Sequence, residues 1–105
     1  MQFDAKKFLF DLPSKVNPDA LEGLNTTFHF EISDSGSYTV ALADGKIDVT
    51  EGLNGNASCT VKTSPESLGK LIKGELNPMM AMMTGKLKIS NPGEMLKYAK
   101  IFGLM

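Results

Sequence analysis

No arginine occurs anywhere in this 105-residue chain. Nucleic-acid binding normally draws on a basic patch in which arginine meets phosphates and base edges, so the sequence argues against that class. The eleven lysines are scattered and the net charge is −1 at pH 7. Bidentate recognition of a phosphate or carboxylate by side chains is also excluded, because only the guanidinium fork supplies it. Cys59 is the sole cysteine, so no intramolecular disulfide can form and nothing indicates secretion. The opening MQFDAKKFLFDLP is broken by Lys and Asp. It reads as neither a signal peptide nor a membrane span. The final Gly103-Leu104-Met105 is not a Ser-Lys-Leu-type peroxisomal address. A cytoplasmic location is the expectation. The triplets Asn25-Thr26-Thr27 and Asn56-Ala57-Ser58 match the glycosylation pattern only at the level of chance.

Catalytic groups are equally sparse. His29 is the only histidine. It falls on the polar phase of an alternating segment with no marked nucleophile, orienting group or ligand partner, so an exposed or rim role is expected. Cys59 falls on an apolar phase, which points to a buried, inert thiol. Asp34, Asp44 and Asp48 sit in or beside turns, which explains each of them. Gly52, Gly55, Gly69 and Gly74 form no phosphate-binding pattern. The sequence nominates neither a metal nor a cofactor, and no enzyme.

What the chain does have is a core. Hydrophobic residues make up 42 %, enough for one domain over residues 1–105. Asp4 to Val16 has helical spacing: Phe8, Leu12 and Val16 recur every fourth residue, joined by Leu9, and Asp4 can cap. Pro13 should kink or end this helix near Leu12. Pro18 to Leu24 can add a helical turn. From Thr26 the period becomes two, with Phe28, Phe30 and Ile32 against Thr27, His29 and Glu31. A second strand carries Tyr38, Val40 and Leu42, and Asp44-Gly45 signals a two-residue hairpin into Lys46–Thr50. Ala57 to Thr63 is a fourth strand. Thr63-Ser64-Pro65-Glu66 opens a helix with Leu68, Leu71 and Ile72, capped by either Thr63 or Ser64. Asn77-Pro78 opens another, ended by Gly85. Lys86 to Ser90 is a short fifth strand. A last helix carries Met95, Leu96, Ala99 and Phe102. The order is α+β: helices on one face of a mainly antiparallel sheet.

One segment stands out. Met79, Met80, Met82 and Met83 lie on a helix of under two turns and point nearly all round its axis. A surface helix needs only one apolar stripe. This one should therefore be covered on more than one side, by the core and by a further helix, a partner, a membrane or an apolar cavity. Methionine adapts to contacts of varied shape, which suits flexible apolar ligands, although it also fills irregular cores. The final helix is apolar through Ile101, Phe102, Leu104 and Met105, as a docked lid or a membrane-seeking end would be.

At Leu76 to Ser90 these residues resemble the sterol carrier protein type 2 family of non-specific lipid-transfer domains. The resemblance rests on Pro78, Ala81, Gly85-Lys86 and Leu87-Lys88-Ile89, on Asp44-Gly45-Lys46, and on the order of elements along nearly the whole chain. It implies five strands with helices on one face and an apolar tunnel between them. It implies non-catalytic carriage of fatty acids, fatty acyl-CoA, sterols or phospholipids. On that resemblance the candidate lipid-contacting residues are Phe28, Phe30, Leu71, Ile72, Leu76, Met79, Met80, Met82, Met83, Leu96, Ala99 and Phe102. The implied partners are a lipid ligand and transient membrane contact, the chain being a monomer or weak homodimer. Asn91-Pro92-Gly93 replaces the family's Gly-Asp-like turn, and only lysines could meet the phosphates of a CoA. Two other functions compete: an interaction or dimerisation module using the Met-rich and last helices, and an enzyme acting on a lipid thioester through His29.

Overall fold

The structure is a computed structural model and describes residues 4–16 and 18–98. Helix α1 spans Ala5–Lys15 and is followed by a 3-10 turn, Pro18–Leu21. Strands β1 (Thr26–Ile32), β2 (Gly36–Ala43), β3 (Lys46–Glu51) and β4 (Cys59–Thr63) come next. Helices α2 (Pro65–Ile72) and α3 (Pro78–Met83), strand β5 (Leu87–Ile89) and helix α4 (Pro92–Tyr98) complete the order. The five strands form one sheet in the order β3-β2-β1-β4-β5. Every pairing is antiparallel except β1 with β4, which is parallel.

Register makes one sheet face apolar. Phe28 lies opposite Val40 and Cys59, Phe30 opposite Tyr38 and Val61, and Leu42 opposite Ile47. Period-two alternation puts all these side chains on one side. They join Ala5, Leu9 and Leu12 of α1, Leu68 and Leu71 of α2, Ala81 of α3 and Met95 and Tyr98 of α4 in one core. The helices therefore cover a single face.

The opposite face is polar, and its centre is crossed by the chain. A parallel β4 must be reached by a crossover from the far edge of the sheet, and residues 52–58 make that passage. Asn54 pins it. Its backbone N–H donates to Thr39 Oγ1 at 2.9 Å, its side-chain nitrogen donates to Thr50 Oγ1 at 3.1 Å, and its carbonyl meets His29 Nε2 at 3.0 Å. Thr39, on the polar phase, is buried in consequence.

Local chemistry sets the ends of the elements. Asp44 and Gly45 have φ of 54° and 72°, the mirror-image turn that suits a two-residue hairpin. Asp4, Ser64, Asn77 and Asn91 each accept a backbone N–H at a helix start. Pro65, Pro78 and Pro92 stand at the first helical position, where a missing N–H costs nothing. Ser64, not Thr63, caps α2, because Thr63 Oγ1 donates to the Lys86 carbonyl at 2.8 Å.

Two expectations change. Helix α1 continues past Pro13 to Lys15, with Val16 N–H bonded to the Leu12 carbonyl at 3.1 Å. Proline here falls in the last turn, on the exposed side, where it interrupts little. Strand β4 begins at Cys59, not Ala57, because Ala57 still belongs to the crossover, which reaches β1 only where Ser58 N–H bonds to the Thr27 carbonyl.

Replacing Gly45 with valine places a β-branched residue in the left-handed region. It should cost about 1–2 kcal/mol, measured as a lower urea midpoint with an unchanged far-ultraviolet spectrum. An unshifted midpoint would show that this turn does not constrain the sheet.

Candidate functional site

The segments that bear on a site are α2, α3 and β5, with α3 packed on β5. Helix α2 ends at Gly74, with φ of 78°, and Glu75 N–H returns to the Lys70 carbonyl at 2.8 Å. Helix α3 ends the same way at Gly85, also at 78°, with Lys86 N–H on the Ala81 carbonyl at 2.9 Å. Glycine is required at both positions because a side chain is disfavoured there. The Thr63–Lys86 bond then ties the start of β5 to the end of β4.

The candidate residues divide into three groups. Phe28, Phe30 and Leu71 lie in the core, 0 %, 1 % and 3 % exposed. Ile72, Leu76 and Met82 are half-buried and pack against that core, as does Ile89 of β5. Met79, Met80 and Met83 stand out at 68 %, 54 % and 81 % exposure. Among the described residues α3 is therefore covered on one side only, and the second cover that its sequence calls for is not supplied by the helices and strands described. The helix seats through Ala81, which is fully buried, and its small side chain brings α3 close against the core while the longer ones project. Ala99, Phe102 and the side chain of Leu96 lie outside the described residues.

Tyr98 belongs with the core group, although its spacing was not singled out. Its ring meets Phe28 edge-on at 5.4 Å and 79°. Three residues on from Met95, it shares that residue's helix face, which is the signal that could have found it. Burial pushes its hydroxyl pKa up, with Glu94 adding to the shift.

His29 and Cys59 are kept apart by the sheet. Phe28 is the register partner of Cys59, so His29, one residue on, projects from the opposite face. No Cys–His pair can form, and His29 is turned away from the apolar side. The Cys59 Sγ–H donates to the Asn91 carbonyl at 3.6 Å. Burial pushes its thiol pKa up, against the smaller opposing effects of hydrogen bonding with the Asn91 backbone and the Ser90 side chain. Among the described residues no three His, Cys, Asp or Glu side chains gather as metal ligands. No helix among them is long and apolar enough to cross a membrane.

A cleft of about 760 Å³ opens at the end of the sheet, between the β1–β2 turn, the start of α2 and the α3–β5 junction. Its walls include Lys62, Lys86 and Lys88, with Glu31, Ser33 and Ser64. Glu31 faces Lys62 at 3.7 Å.

Because Cys59 is both enclosed and held as the thiol, it should react with a disulfide reagent at mildly alkaline pH on the order of a hundredfold more slowly than in urea. Equal rates would show an open, reactive thiol.

The model of the SCP-2 sterol transfer family matches residues 5–103. Hydroxysteroid dehydrogenase-like protein 2 of Xenopus tropicalis is 33 % identical over 98 residues, which are 90 % of this chain and 24 % of that protein. The chain thus spans about a quarter of this relative's length. The sterol carrier protein domain 2 of Helicoverpa armigera superposes with a TM-score of 0.79 at 24 % identity, covering 98 % of this chain and 90 % of that one. The inverting sec-alkylsulfatase Pisa1 from Pseudomonas sp. contains the same fold, with a TM-score of 0.78 at 24 % identity over 93 % of this chain and 16 % of its own. With the family model matched over nearly its whole length, the chain belongs to the SCP-2 sterol transfer family.

Proposed function

We propose that this protein is a non-catalytic lipid carrier that takes fatty acids, fatty acyl-CoA, sterols or phospholipids between its apolar sheet face and its helices. The observation that carries this reading is the set of half-buried apolar side chains that pack against the core from α2, α3, β5 and the segment between the two helices: Ile72, Leu76, Met82 and Ile89. Phe28, Phe30 and Leu71 lie in that core, with the ring of Tyr98 against Phe28. A ligand entering there separates side chains that otherwise close on one another, and it replaces their contacts with its own. Family membership supports the ligand class.

The physical balance is favourable. Burying a sixteen-carbon chain at about 0.8 kcal/mol per methylene gives a gross driving force on the order of 12 kcal/mol. Lost translational freedom and the opening of the core offset much of this, which leaves affinities in the micromolar to nanomolar range. Few fixed polar groups are needed, and the apolar face offers few. Among phosphate-bearing ligands an acyl-CoA would have only lysines to meet it, so unesterified lipids suit the chain better.

His29 is not drawn into this reading as a base, since it projects from the other face and meets the Asn54 carbonyl. An appended carrier is consistent with the longer relatives in which the domain occupies a minor part of the chain.

Native mass spectrometry of the protein purified from cells should show added mass in the lipid range, and a fluorescent fatty acid should bind saturably. Ile72→Asp and Leu76→Asp, each at a half-buried position, should lower probe affinity by about tenfold or more while the fold persists. Absence of both co-purified lipid and saturable probe binding would remove the carrier reading.

A further inference from the structure

Among the described residues the buried polar side chains are Thr26, Thr39, Thr63 and Ser67. The last three have partners. Thr39 Oγ1 donates to the Gly52 carbonyl at 2.7 Å, and Thr63 Oγ1 donates to the Lys86 carbonyl at 2.8 Å. Ser67 Oγ accepts from Ser64 Oγ at 3.0 Å. Thr26 differs. It is 8 % exposed, and its hydroxyl is closed off from solvent with no hydrogen-bond partner. Such a group has given up its bonds to water and gained none in the fold, so native proteins keep few of them. Valine has the same branched shape, suits a strand equally well and carries no such cost.

The direction of the side chain gives this hydroxyl a use. Along β1 the buried positions are Thr26, Phe28, Phe30 and Ile32. Alternation puts all of them on the face that the helices cover. Thr26 thus begins the row that holds Phe28 and Phe30, with Phe30 about 13 Å further along it. Its cross-strand partner is Leu42, which faces Ile47 in turn. On the other side β4 begins only opposite Phe28, so no side chain of that strand pairs with Thr26. The apolar row therefore ends in one hydroxyl whose hydrogen-bonding capacity is unused.

The surroundings select the polar group that Thr26 can receive. A threonine hydroxyl offers one donor and two acceptor sites, which match another hydroxyl. No charged side chain is buried among the described residues, so an ionised carboxylate or phosphate brought to Thr26 would meet no cation in the interior. A fatty acid can keep its carboxylate in water, but it then leaves Thr26 unused. We propose that Thr26 anchors a neutral lipid alcohol, its hydroxyl bonding the ligand's hydroxyl while the apolar body lies along Phe28 and Phe30. The inference rests on the carrier reading and narrows it: the site distinguishes ligands by their polar end, and the alcohol end is the buried end. Sterols and long-chain alcohols share this chemistry.

Displacement of a bound fluorescent fatty acid from the full chain tests the anchor. Cholesterol is compared with its 3-deoxy analogue and hexadecanol with hexadecane, which separates the two sources of the alcohol. Wild-type protein should bind at least one alcohol about tenfold more tightly than the matching hydrocarbon. Thr26→Val should abolish that preference by weakening the alcohol alone, with the hydrocarbon and the fluorescent fatty acid bound as before. Thr26→Ser, which keeps the hydroxyl, should keep the preference. Lipid-free Thr26→Val should also unfold at a higher urea concentration than the wild type, because the unpartnered hydroxyl is gone. An alcohol preference that survives in Thr26→Val, or that is missing from the wild type, overturns the anchor. So does an equal loss for alcohol, hydrocarbon and fatty acid, or a lowered urea midpoint, since either marks a hydroxyl that serves only the fold. Saturable binding of the fluorescent fatty acid leaves the carrier reading standing in each of these cases. A wild-type protein that binds no probe removes both.

Discussion

The whole arrangement depends on the alternation of side chains along five strands. Because each strand is apolar on one phase only, the sheet has one face to bury, and every helix must come to that side. The same alternation sends His29, Thr39 and Thr50 to the other face, where Asn54 fastens the crossover between them. Without that crossover β4 could not lie parallel to β1, and the apolar face would lack Cys59, Val61 and the strand that follows them. The polar groups that a catalytic reading would examine first are thus occupied in closing the sheet.

On the buried side, position is fixed by small residues and backbone bonds more than by large side chains. Ala81 sets the depth of α3. Gly74 and Gly85 turn the chain sharply enough for α2, α3 and β5 to share a corner. The Thr63 hydroxyl on the Lys86 carbonyl holds that corner to the sheet. The larger apolar groups are left graded from Phe28 at the centre, through Leu76 and Met82, to Met83 in the open. From Leu71 to Ile89 one stretch of sequence carries buried, half-buried and exposed apolar side chains together.

What could be read in the sequence was what short range determines. The alternation of β1, the Asp44-Gly45 turn, the Xaa-Pro helix starts and the glycine at the end of α3 each follow from a few neighbouring residues, and each stands where it was expected. The parallel pairing of β4 with β1 was not readable, because register between distant strands leaves no mark in either one. Pro13 misled because its effect depends on how much helix follows it. The depth of the methionines was not readable for a related reason. Periodicity counts apolar positions, but only packing decides that the smallest side chain, Ala81, faces inward and that three of its larger neighbours face out. The inner candidates Phe28, Phe30 and Leu71 and the half-buried Ile72, Leu76 and Met82 were visible as apolar residues. Their grading by depth was not.

Among the described residues the order of the sheet leaves β3 and β5 with open edges. An open edge is a template on which another chain can pair, and it favours assembly. Here β5 is only three residues long, with Lys88 at its centre and Lys86 beside it, and β3 carries exposed Lys46, Asp48 and Glu51. Shortness on one side and alternating charge on the other make both edges poor templates. The backbone bonds that would lock chance encounters between molecules into aggregates therefore find no straight, neutral strand to join at either edge.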